Sequence, residues 1–198
     1  TVSGILGRTA GENVGSYNFT LGTVAASAPS NYSSSASGSF SITAKSLTIN
    51  PTGGQTKVYG DDDPYNSGVG FAYSTSGLVN GVTPQYWNSS GSYVNASQIN
   101  DTVSGHLGRV AGENVNTYAF TTGDIAPSAP SNYNTSVGGG TFSITAKALS
   151  ITGTAGQTKV YGSDDPSNSG AGFAYTSSGI VNGVTPQYWN SSGSYVNA

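Results

Sequence analysis

The arginines and glutamates recur as two spaced pairs, and these are the side chains most able to do chemistry. Arg8 precedes Glu12 by four residues, Arg109 precedes Glu113 by the same spacing, and the sequence contains no other arginine or glutamate. A glycosidase would need two carboxyl groups flanking a bond, not an acid and a base. A guanidinium readily donates two hydrogen bonds to a carboxylate or to backbone carbonyls. We therefore predict a structural clasp at each pair.

A second concentration of charge follows a Val-Tyr-Gly motif in both halves of the chain. The carboxylates are those of Asp61, Asp62, Asp63, Asp164 and Asp165. Ca²⁺ is bound by six to eight oxygens, which loop carboxylates supply readily. An Asx turn before proline explains the same residues, and Ser163 in place of the first aspartate favours the turn. No cofactor is expected, and calcium at these aspartates is the alternative.

Aromatic residues form a third candidate site, in a segment whose two copies, 79–96 and 181–198, are identical. They are Tyr86, Trp87, Tyr93, Tyr188, Trp189 and Tyr195. Aromatic faces edged by Asn and Ser suit stacking on sugars, and such rings also anchor interfaces. Adjacent large rings break strand alternation, so one ring of Tyr86 and Trp87 must face away from the core. We expect packing or contact between units, with ligand binding as the alternative.

No reactive centre recurs in both copies. His106 is the only histidine, and Ile5 occupies its position in the other copy, so we expect a surface role for His106. The chain has no cysteine. It also lacks a Gly-x-Ser-x-Gly elbow, a phosphate-binding loop and a His-Glu-x-x-His stretch. We therefore expect no enzymatic activity.

Composition excludes further classes of function. The 198 residues include six Lys or Arg and nine Asp or Glu, for a net charge of -3, so no basic surface is available for nucleic acid. No apolar run approaches the roughly 18 residues that cross a bilayer, so membrane insertion is not expected. The lack of Cys and Met suits a protein outside the cell. Because the chain begins at Thr1 and lacks methionine, we expect it to be cut from something longer.

The charged and aromatic motifs are positioned by a tandem repeat. Residues 1–14 return as 102–115, and the offset of 101 becomes 102 by Phe40 and Phe142, after one added glycine. A period near 100 residues matches an autonomous domain. An alternating segment runs from Gly38 to Ile49, and we place the unit boundary inside it. This gives the C-terminal half of a unit (1–45), a complete unit (46–147) and the N-terminal half of the next unit (148–198), with a short, motion-restricting connector.

Alternating apolar residues predict strands, among them 17–21, 57–59, 71–74 and 142–145,. Gly-, Pro-, Asn- and Ser-rich turns separate these segments, and no apolar pattern has helical spacing. We predict an all-β fold: tandem immunoglobulin-like β-sandwich domains in an elongated array. A β-grasp-like sheet is the alternative.

The order of motifs resembles the MBG/YGX-type repeats of bacterial secreted haemagglutinin-like adhesins. The motifs are Tyr-Gly-Asp-Asp-Asp-Pro (59–64), Ser-Gly-Leu-Val-Asn-Gly (76–81), Gly-Arg-Thr-Ala-Gly-Glu-Asn (7–13) and Phe-Ser-Ile-Thr-Ala-Lys (40–45). Segment 82–96, between the Ser-Gly-Leu-Val-Asn-Gly motif and Asp101, departs from the resemblance because it is longer than the family leads us to expect at this place. The resemblance implies an extracellular or cell-surface location and no catalysis.

Together, the repeat and the resemblance predict a structural stalk or fibre repeat of a large surface adhesin, serving cell adhesion, biofilm matrix or filament formation. The expected partners are neighbouring units of the chain and like chains in a fibre. We also expect the half units 1–45 and 148–198 to be completed by neighbouring chain or by another molecule. The alternative is a carbohydrate-binding module that binds glycans through Trp87 and Trp189.

Overall fold

The computed structural model describes residues 1–198 and contains strands and short 3-10 turns but no α-helix. Residues 1–44 contain β1 (Val2–Ser3), β2 (Gly7–Arg8), β3 (Gly15–Thr20), β4 (Ala25–Ala26) and β5 (Ser39–Ile42). Residues 45–101 contain β6 (Lys45–Pro51), β7 (Thr56–Val58), β8 (Tyr73–Ser76), β9 (Asn80–Val82), β10 (Gln85–Trp87), β11 (Tyr93–Asn95) and β12 (Ile99–Asn100). The all-β prediction is confirmed.

The later part of the chain repeats this order. Residues 102–147 contain β13 (Val103–Ser104), β14 (Gly108–Arg109), β15 (Asn116–Thr121), β16 (Ala126–Pro127), β17 (Tyr133–Val137) and β18 (Thr141–Thr145). Residues 148–198 contain β19 (Ser150–Gly153), β20 (Tyr175–Ser178), β21 (Gln187–Trp189) and β22 (Tyr195–Asn197). The 3-10 turns are Pro29–Asn31, Asn66–Gly68, Pro130–Asn132 and Asn168–Gly170. The structure contains no helix with the length and apolar character that a membrane span requires.

Two sheets between residues 45 and 145 enclose one core in a sandwich-like arrangement. The four-stranded sheet has the order β14-β15-β18-β7, and the three-stranded sheet has the order β17-β6-β8. β7 runs parallel to β18 and β6 runs parallel to β17, whereas the other neighbouring strands are antiparallel. Each sheet therefore joins a strand from the start of this region, which we call the central unit, to a strand from its end.

The core lies between these sheets and follows from the alternation of apolar residues along the strands. Leu47 and Ile49 are buried on β6, and Phe142 and Ile144 are buried on β18. The ring of Phe71 lies 5.0 Å from that of Phe142, centroid to centroid. The full cluster is Leu47, Ile49, Phe71, Leu107, Phe120, Ile125, Tyr133, Phe142, Ile144 and Trp189. Every member but Trp189 lies between residues 47 and 144.

The two end segments carry the same strands with open apolar faces. Phe40 is 45% exposed, whereas its counterpart Phe142 is fully buried. Ile151 is 57% exposed, whereas its counterpart Ile49 is fully buried. Segment 1–45 corresponds to the second half of the central unit, and segment 148–198 corresponds to its first half. Each end segment therefore presents one of the two faces that meet in the central unit.

The central unit is interrupted by an excursion between Val79 and Asp101. The excursion contains β9 paired with β12 and, beyond them, the hairpin β10–β11. Tyr133 links the two ends of the excursion. The Val79 amide donates to the Tyr133 hydroxyl at 3.0 Å, and that hydroxyl donates to Asp101 at 2.7 Å. Burial and the hydrogen bond to Asp101 raise the pKa of Tyr133. The excursion includes segment 82–96, which is expected to be longer than in the family.

Candidate inter-repeat interface

The two aromatic hairpins are shaped by asparagine turns. Asn190 Oδ1 accepts hydrogen bonds from the Ser192 and Ser194 amides at 3.0 Å each, and from the Ser192 hydroxyl at 2.7 Å. This arrangement fixes the turn between β21 and β22. Trp189 and Tyr195 are then directly opposite in the ladder and lie on one face of the hairpin,. The first hairpin has the same turn, built on Asn88.

Trp189 docks the hairpin 187–197 onto the central unit. Its side chain is among the buried residues, with 4% exposure. The indole stacks with His106 at 4.6 Å and lies parallel to Tyr65 at 6.1 Å, centroid to centroid. The indole Nε1 donates to the Pro64 carbonyl at 3.0 Å, so the polar edge is satisfied as well. His106, for which the sequence predicts a surface role, is half-buried because Trp189 stacks on its ring.

Hydrogen bonds to residues 62–65, which we call the aspartate loop, fix the position of this hairpin. The Asp63 amide donates to the Gln187 carbonyl at 2.8 Å, and the Gln187 amide donates to Asp62 Oδ1 at 2.7 Å. The Tyr195 hydroxyl donates to the Asp63 carbonyl at 3.1 Å. Burial, followed by the charges of Asp62 and Asp63, raises the pKa of Tyr195. The aspartate loop of one copy therefore binds the hairpin of the next copy.

Arg109 lies beneath the hairpin and is completely buried. Its Nε donates to Asp63 Oδ2 at 2.6 Å, and its Nη2 donates to Asp63 Oδ1 at 2.9 Å and to Glu113 at 2.5 Å. Its Nη1 donates to the carbonyls of Val110 and Gly112. All five N–H groups of the guanidinium thus have acceptors. The ring of Tyr188, from the hairpin, lies 4.9 Å from the guanidinium carbon and covers it.

Lys57 completes a buried network of two cations and two anions. Its Nζ lies 2.9 Å from Asp63 Oδ1 and also contacts the Glu113 carboxylate. Burial lowers the pKa of Arg109, but its hydrogen bonds and attraction to Asp63 and Glu113 outweigh burial and raise that pKa overall. Removing one member of such a network leaves an uncompensated buried charge. The Arg109–Glu113 pair is therefore one part of a larger network.

The aspartates predicted as the calcium alternative do not converge on one point. Asp63 is buried against Lys57 and Arg109, and Asp61 lies 3.4 Å from Lys147. In the other copy, Asp165 lies 2.7 Å from Lys159. No group of three or more His, Cys, Asp or Glu side chains is arranged to hold a metal ion. Asp63 therefore already has a lysine and an arginine as its cationic partners, and calcium binding at the other aspartates stays a prediction.

The first hairpin docks onto segment 1–45 in the same manner. The Thr20 hydroxyl donates to the Ser89 carbonyl at 3.1 Å, and the Tyr86 ring lies 4.6 Å from the Arg8 guanidinium carbon. In the second docking, the Thr121 hydroxyl donates to the Ser191 carbonyl at 3.2 Å. The same contacts therefore occur twice in one chain, each time between a hairpin and the preceding copy.

A glycine in each copy leaves room for the hairpin turn. A Cβ at Gly108 would overlap the Asn190 carbonyl oxygen, and a Cβ at Gly7 would overlap that of Asn88. Both glycines lie on the strand that carries the arginine. Glycine at this position is therefore required by the close approach of the hairpin backbone.

The environments of the two tryptophans differ. Trp87 is 42% exposed and packs against Tyr93 at 5.0 Å, centroid to centroid. Beside it is a cavity of about 450 Å³ that Arg8 and Phe40 also line. In the central unit, the loop of Asp62 to Tyr65 occupies the equivalent place over Trp189. Segment 1–45 has no such loop, so the Trp87 ring stays accessible.

The clasp residues Arg8 and Glu12 lie together, with Arg8 Nη2 donating to Glu12 at 2.5 Å and Nη1 donating to the Gly11 carbonyl at 2.7 Å. The periodic Lys57 was expected near a unit end, and the sequence did not predict that Asp63 pairs with Lys57 and Arg109. The available signal was periodicity, because Lys57 and Asp63 recur as Lys159 and Asp165. The Asn- and Ser-rich turns were predicted, but nothing in the sequence pattern indicated the glycines beneath them, Gly7 and Gly108.

One protein family matches the chain: the profile of the MBG domain (YGX type) aligns with residues 47–143. The matched range runs from the first core residue on β6 into β18. Neither a curated protein nor a solved structure shows significant similarity to the chain.

Proposed function

Since residues 47–143 are an MBG domain of the YGX type, we propose that the chain is a structural stalk or fibre segment of a large bacterial surface or secreted adhesin. The MBG domain is a repeat domain typical of secreted surface proteins. The proposed role is to give length and stiffness for cell adhesion, biofilm matrix or filament formation. The proposed units are 1–45, 46–147 and 148–198.

The observation that carries this proposal is the hairpin that crosses each junction. Neighbouring units are joined covalently at residues 45–46 and 147–148, where the connections from β5 to β6 and from β18 to β19 are short. They are joined a second time by the docked hairpin, which lies on the preceding copy. Two separated attachments resist bending and twisting more than a single linker does, because rotation about one of them is blocked by the other. A rod built this way transmits force without a flexible hinge.

The surface composition supports the same role. The chain contains 15 charged residues, the sum of the six basic and nine acidic ones. A surface of neutral Ser, Thr and Asn side chains stays hydrated and is little affected by salt. No steering field and no cofactor is needed for a stalk. We also propose an extracellular or cell-surface location, which the MBG match and the lack of Cys and Met support,.

The hairpin is tested with a glycine pair in a Trp87→Phe background, where Trp189 is the only tryptophan. Gly108→Ala places a methyl group against the Asn190 carbonyl, and Gly139→Ala is the control because nothing lies near that position. We expect acrylamide to quench Trp189 weakly in the parent and control, and strongly in the Gly108 variant. Small-angle scattering should show a wider spread of shapes for that variant alone. If the Gly108 variant exposes Trp189 but its scattering shows the same spread of shapes as the parent, the proposal is contradicted.

The alternative of a carbohydrate-binding module is favoured by one observation, the exposed face of Trp87 beside the cavity lined by Arg8. On that hypothesis, Trp87→Ala abolishes binding to a glycan array, while stability falls only by the small amount expected for a partly solvated ring. Trp189→Ala is the matched control, because its ring is already covered. Absence of binding by the parent chain would remove this alternative.

A further inference from the structure

The buried network around Arg109 holds an amine against a carboxyl group. Lys57 Nζ lies 2.9 Å from Asp63 Oδ1, and the two side chains are 3% and 0% exposed. The other lysines of the chain are exposed. We propose that this site forms an isopeptide bond between Lys57 and Asp63 without an external enzyme, with Glu113 as the proton carrier. This goes beyond the proposed stalk function, since it assigns a covalent modification to the chain.

Glu113 is placed to accept protons and to return them. One oxygen of its carboxylate contacts Lys57 Nζ, and the other accepts a hydrogen bond from Arg109 Nη2 at 2.5 Å. The Glu113 side chain is 20% exposed, so it borders solvent, whereas Lys57 does not. A carboxylate in contact with an ammonium group can take a proton from it. The neutral amine that remains is the nucleophilic form of lysine.

Asp63 is held by donors that suit the addition of an amine. Its Oδ2 accepts hydrogen bonds from Arg109 Nε at 2.6 Å and from the Trp189 amide at 3.3 Å. Donors in this arrangement stabilise the negative charge that collects on Oδ2 when an amine adds to the carboxyl carbon. Oδ1 lies against Lys57 Nζ, beside the proton supply. Oδ1 is therefore the oxygen that leaves as water.

The reaction balances with one water molecule as its only by-product. Lys57 gives a proton to Glu113, and the lone pair of the neutral Nζ forms a bond to Asp63 Cγ while the C=O electron pair moves to Oδ2. Glu113 passes this proton, and a second one taken from Nζ, to Oδ1. The C–Oδ1 bond breaks, its electron pair leaves with the water, and the pair on Oδ2 restores the C=O bond. One proton stays on the amide nitrogen, and Glu113 ends as a carboxylate.

Contact and burial both favour the condensation. The two reacting groups are held in contact by the fold, so the step is intramolecular. It replaces two buried charges with a neutral amide and leaves Arg109 paired with Glu113, which lowers the cost of burying charge. The rings of Tyr118 and Phe142 lie 5.2 Å and 5.3 Å from the guanidinium carbon. These rings cover the site and protect the amide from hydrolysis.

The bond would fix the surface on which the hairpin docks. Asp63 lies between the two residues whose oxygens accept hydrogen bonds from the hairpin, Asp62 and Pro64. Lys57 lies on β7, within the four-stranded sheet. An amide between Lys57 and Asp63 therefore ties the aspartate loop to the sheet permanently.

The second copy provides an internal control. Lys159 lies 2.7 Å from Asp165, but these side chains are 49% and 61% exposed. The arginines and glutamates of the chain pair elsewhere, so this lysine and aspartate have neither a polarising donor nor a proton carrier. We expect no bond between them, because water solvates both groups.

The test is the intact mass of the purified, denatured chain, followed by mapping of its tryptic peptides. We expect the parent chain to weigh less than its sequence requires by one water molecule. Trypsin should cleave after Lys159 but not after Lys57, because acylation removes the charge that the protease recognises. Glu113→Gln keeps the size of the side chain but cannot carry the proton, and should have its full mass. Lys159→Arg, the matched control, should lose one water like the parent chain.

Asp63→Asn separates a chemical role from a structural one. The departing group is then ammonia, so this variant should lose one ammonia in place of one water, which an ion pair alone cannot explain. A parent chain of full mass overturns the proposal. So does a mass loss that fragmentation places outside Lys57 and Asp63, or one that persists undiminished in Glu113→Gln. Quenching of Trp189 reports hairpin docking separately, so a missing bond with a docked hairpin leaves the proposed stalk function intact.

Discussion

Trp87 and Trp189 lie in identical segments of sequence, yet Trp87 is 42% exposed and Trp189 is 4% exposed. Their hairpins have the same ladder and the same asparagine turn. The difference comes from the surface beneath, since the central unit provides an aspartate loop and segment 1–45 does not. Burial of a side chain in this protein is therefore set by the completeness of the neighbouring copy, and local sequence does not determine it.

The comparison is tested most strongly at the arginines. Arg109→Met leaves Asp63 and Glu113 facing Lys57 alone in a buried site, and we expect a loss of about 3–5 kcal/mol of unfolding free energy. Arg8→Met removes a smaller network and should cost less than half as much. Urea denaturation at a concentration where the chain is monomeric measures both. Equal losses would show that the two copies are energetically alike despite their different surroundings.

The tryptophans give the next largest effect. Trp189→Ala removes a ring packed between the central unit and the hairpin, and we expect a loss of about 3 kcal/mol. Trp87→Ala should cost about 1 kcal/mol, because the ring is already partly solvated. Thermal and chemical unfolding of both variants measures the difference. A larger loss at Trp87 would contradict the interpretation that the aspartate loop determines burial.

The threonines sharpen the comparison, because here the two copies should behave alike. Thr121→Val removes the hydrogen bond to the Ser191 carbonyl, and Thr20→Val removes the bond to the Ser89 carbonyl. Each should weaken docking of its hairpin by about 0.5–1.5 kcal/mol. Hydrogen exchange of the hairpin amides measures both. A loss at one hairpin only would show that the two dockings are not equivalent.

The smallest expected effect is on the stability of the chain at alkaline pH. Burial and Asp101 raise the pKa of Tyr133 in the folded chain, so folding favours the neutral phenol. This contribution to stability is fully present below the unfolded pKa, about 10, and is lost as pH rises from there through the folded pKa. Tyr133→Phe should flatten the fall of the melting temperature above pH 10, and Tyr32→Phe, at the exposed counterpart, should not. An unchanged profile for the Tyr133 variant would contradict this assignment.

Much of the fold could be predicted from the sequence, because it depends on local pattern and on repetition. The alternation around Phe142 and Ile144 predicts β18, and the return of residues 1–14 at 102–115 predicts equivalent strands in both copies. The Tyr-Gly-Asp-Asp-Asp-Pro motif placed the family correctly, as the match over residues 47–143 confirms.

The contacts of the candidate site are long-range, and for that reason the sequence did not predict them. Asp63 and Arg109 meet because β7 pairs with β18 in parallel, a pairing that no local pattern encodes. Trp189 and Pro64 meet because a hairpin bends back onto the preceding copy. Glycan binding through Trp87 stays a prediction.

The direction in which the hairpin docks gives the array a polarity. Each copy is clamped by the copy that follows it, so its stability depends on the neighbour on its C-terminal side. Fraying should therefore begin at the C-terminal end of an array and move toward the N-terminus, one repeat at a time. An array of such repeats would need a dedicated cap at the C-terminal end, where no further hairpin arrives.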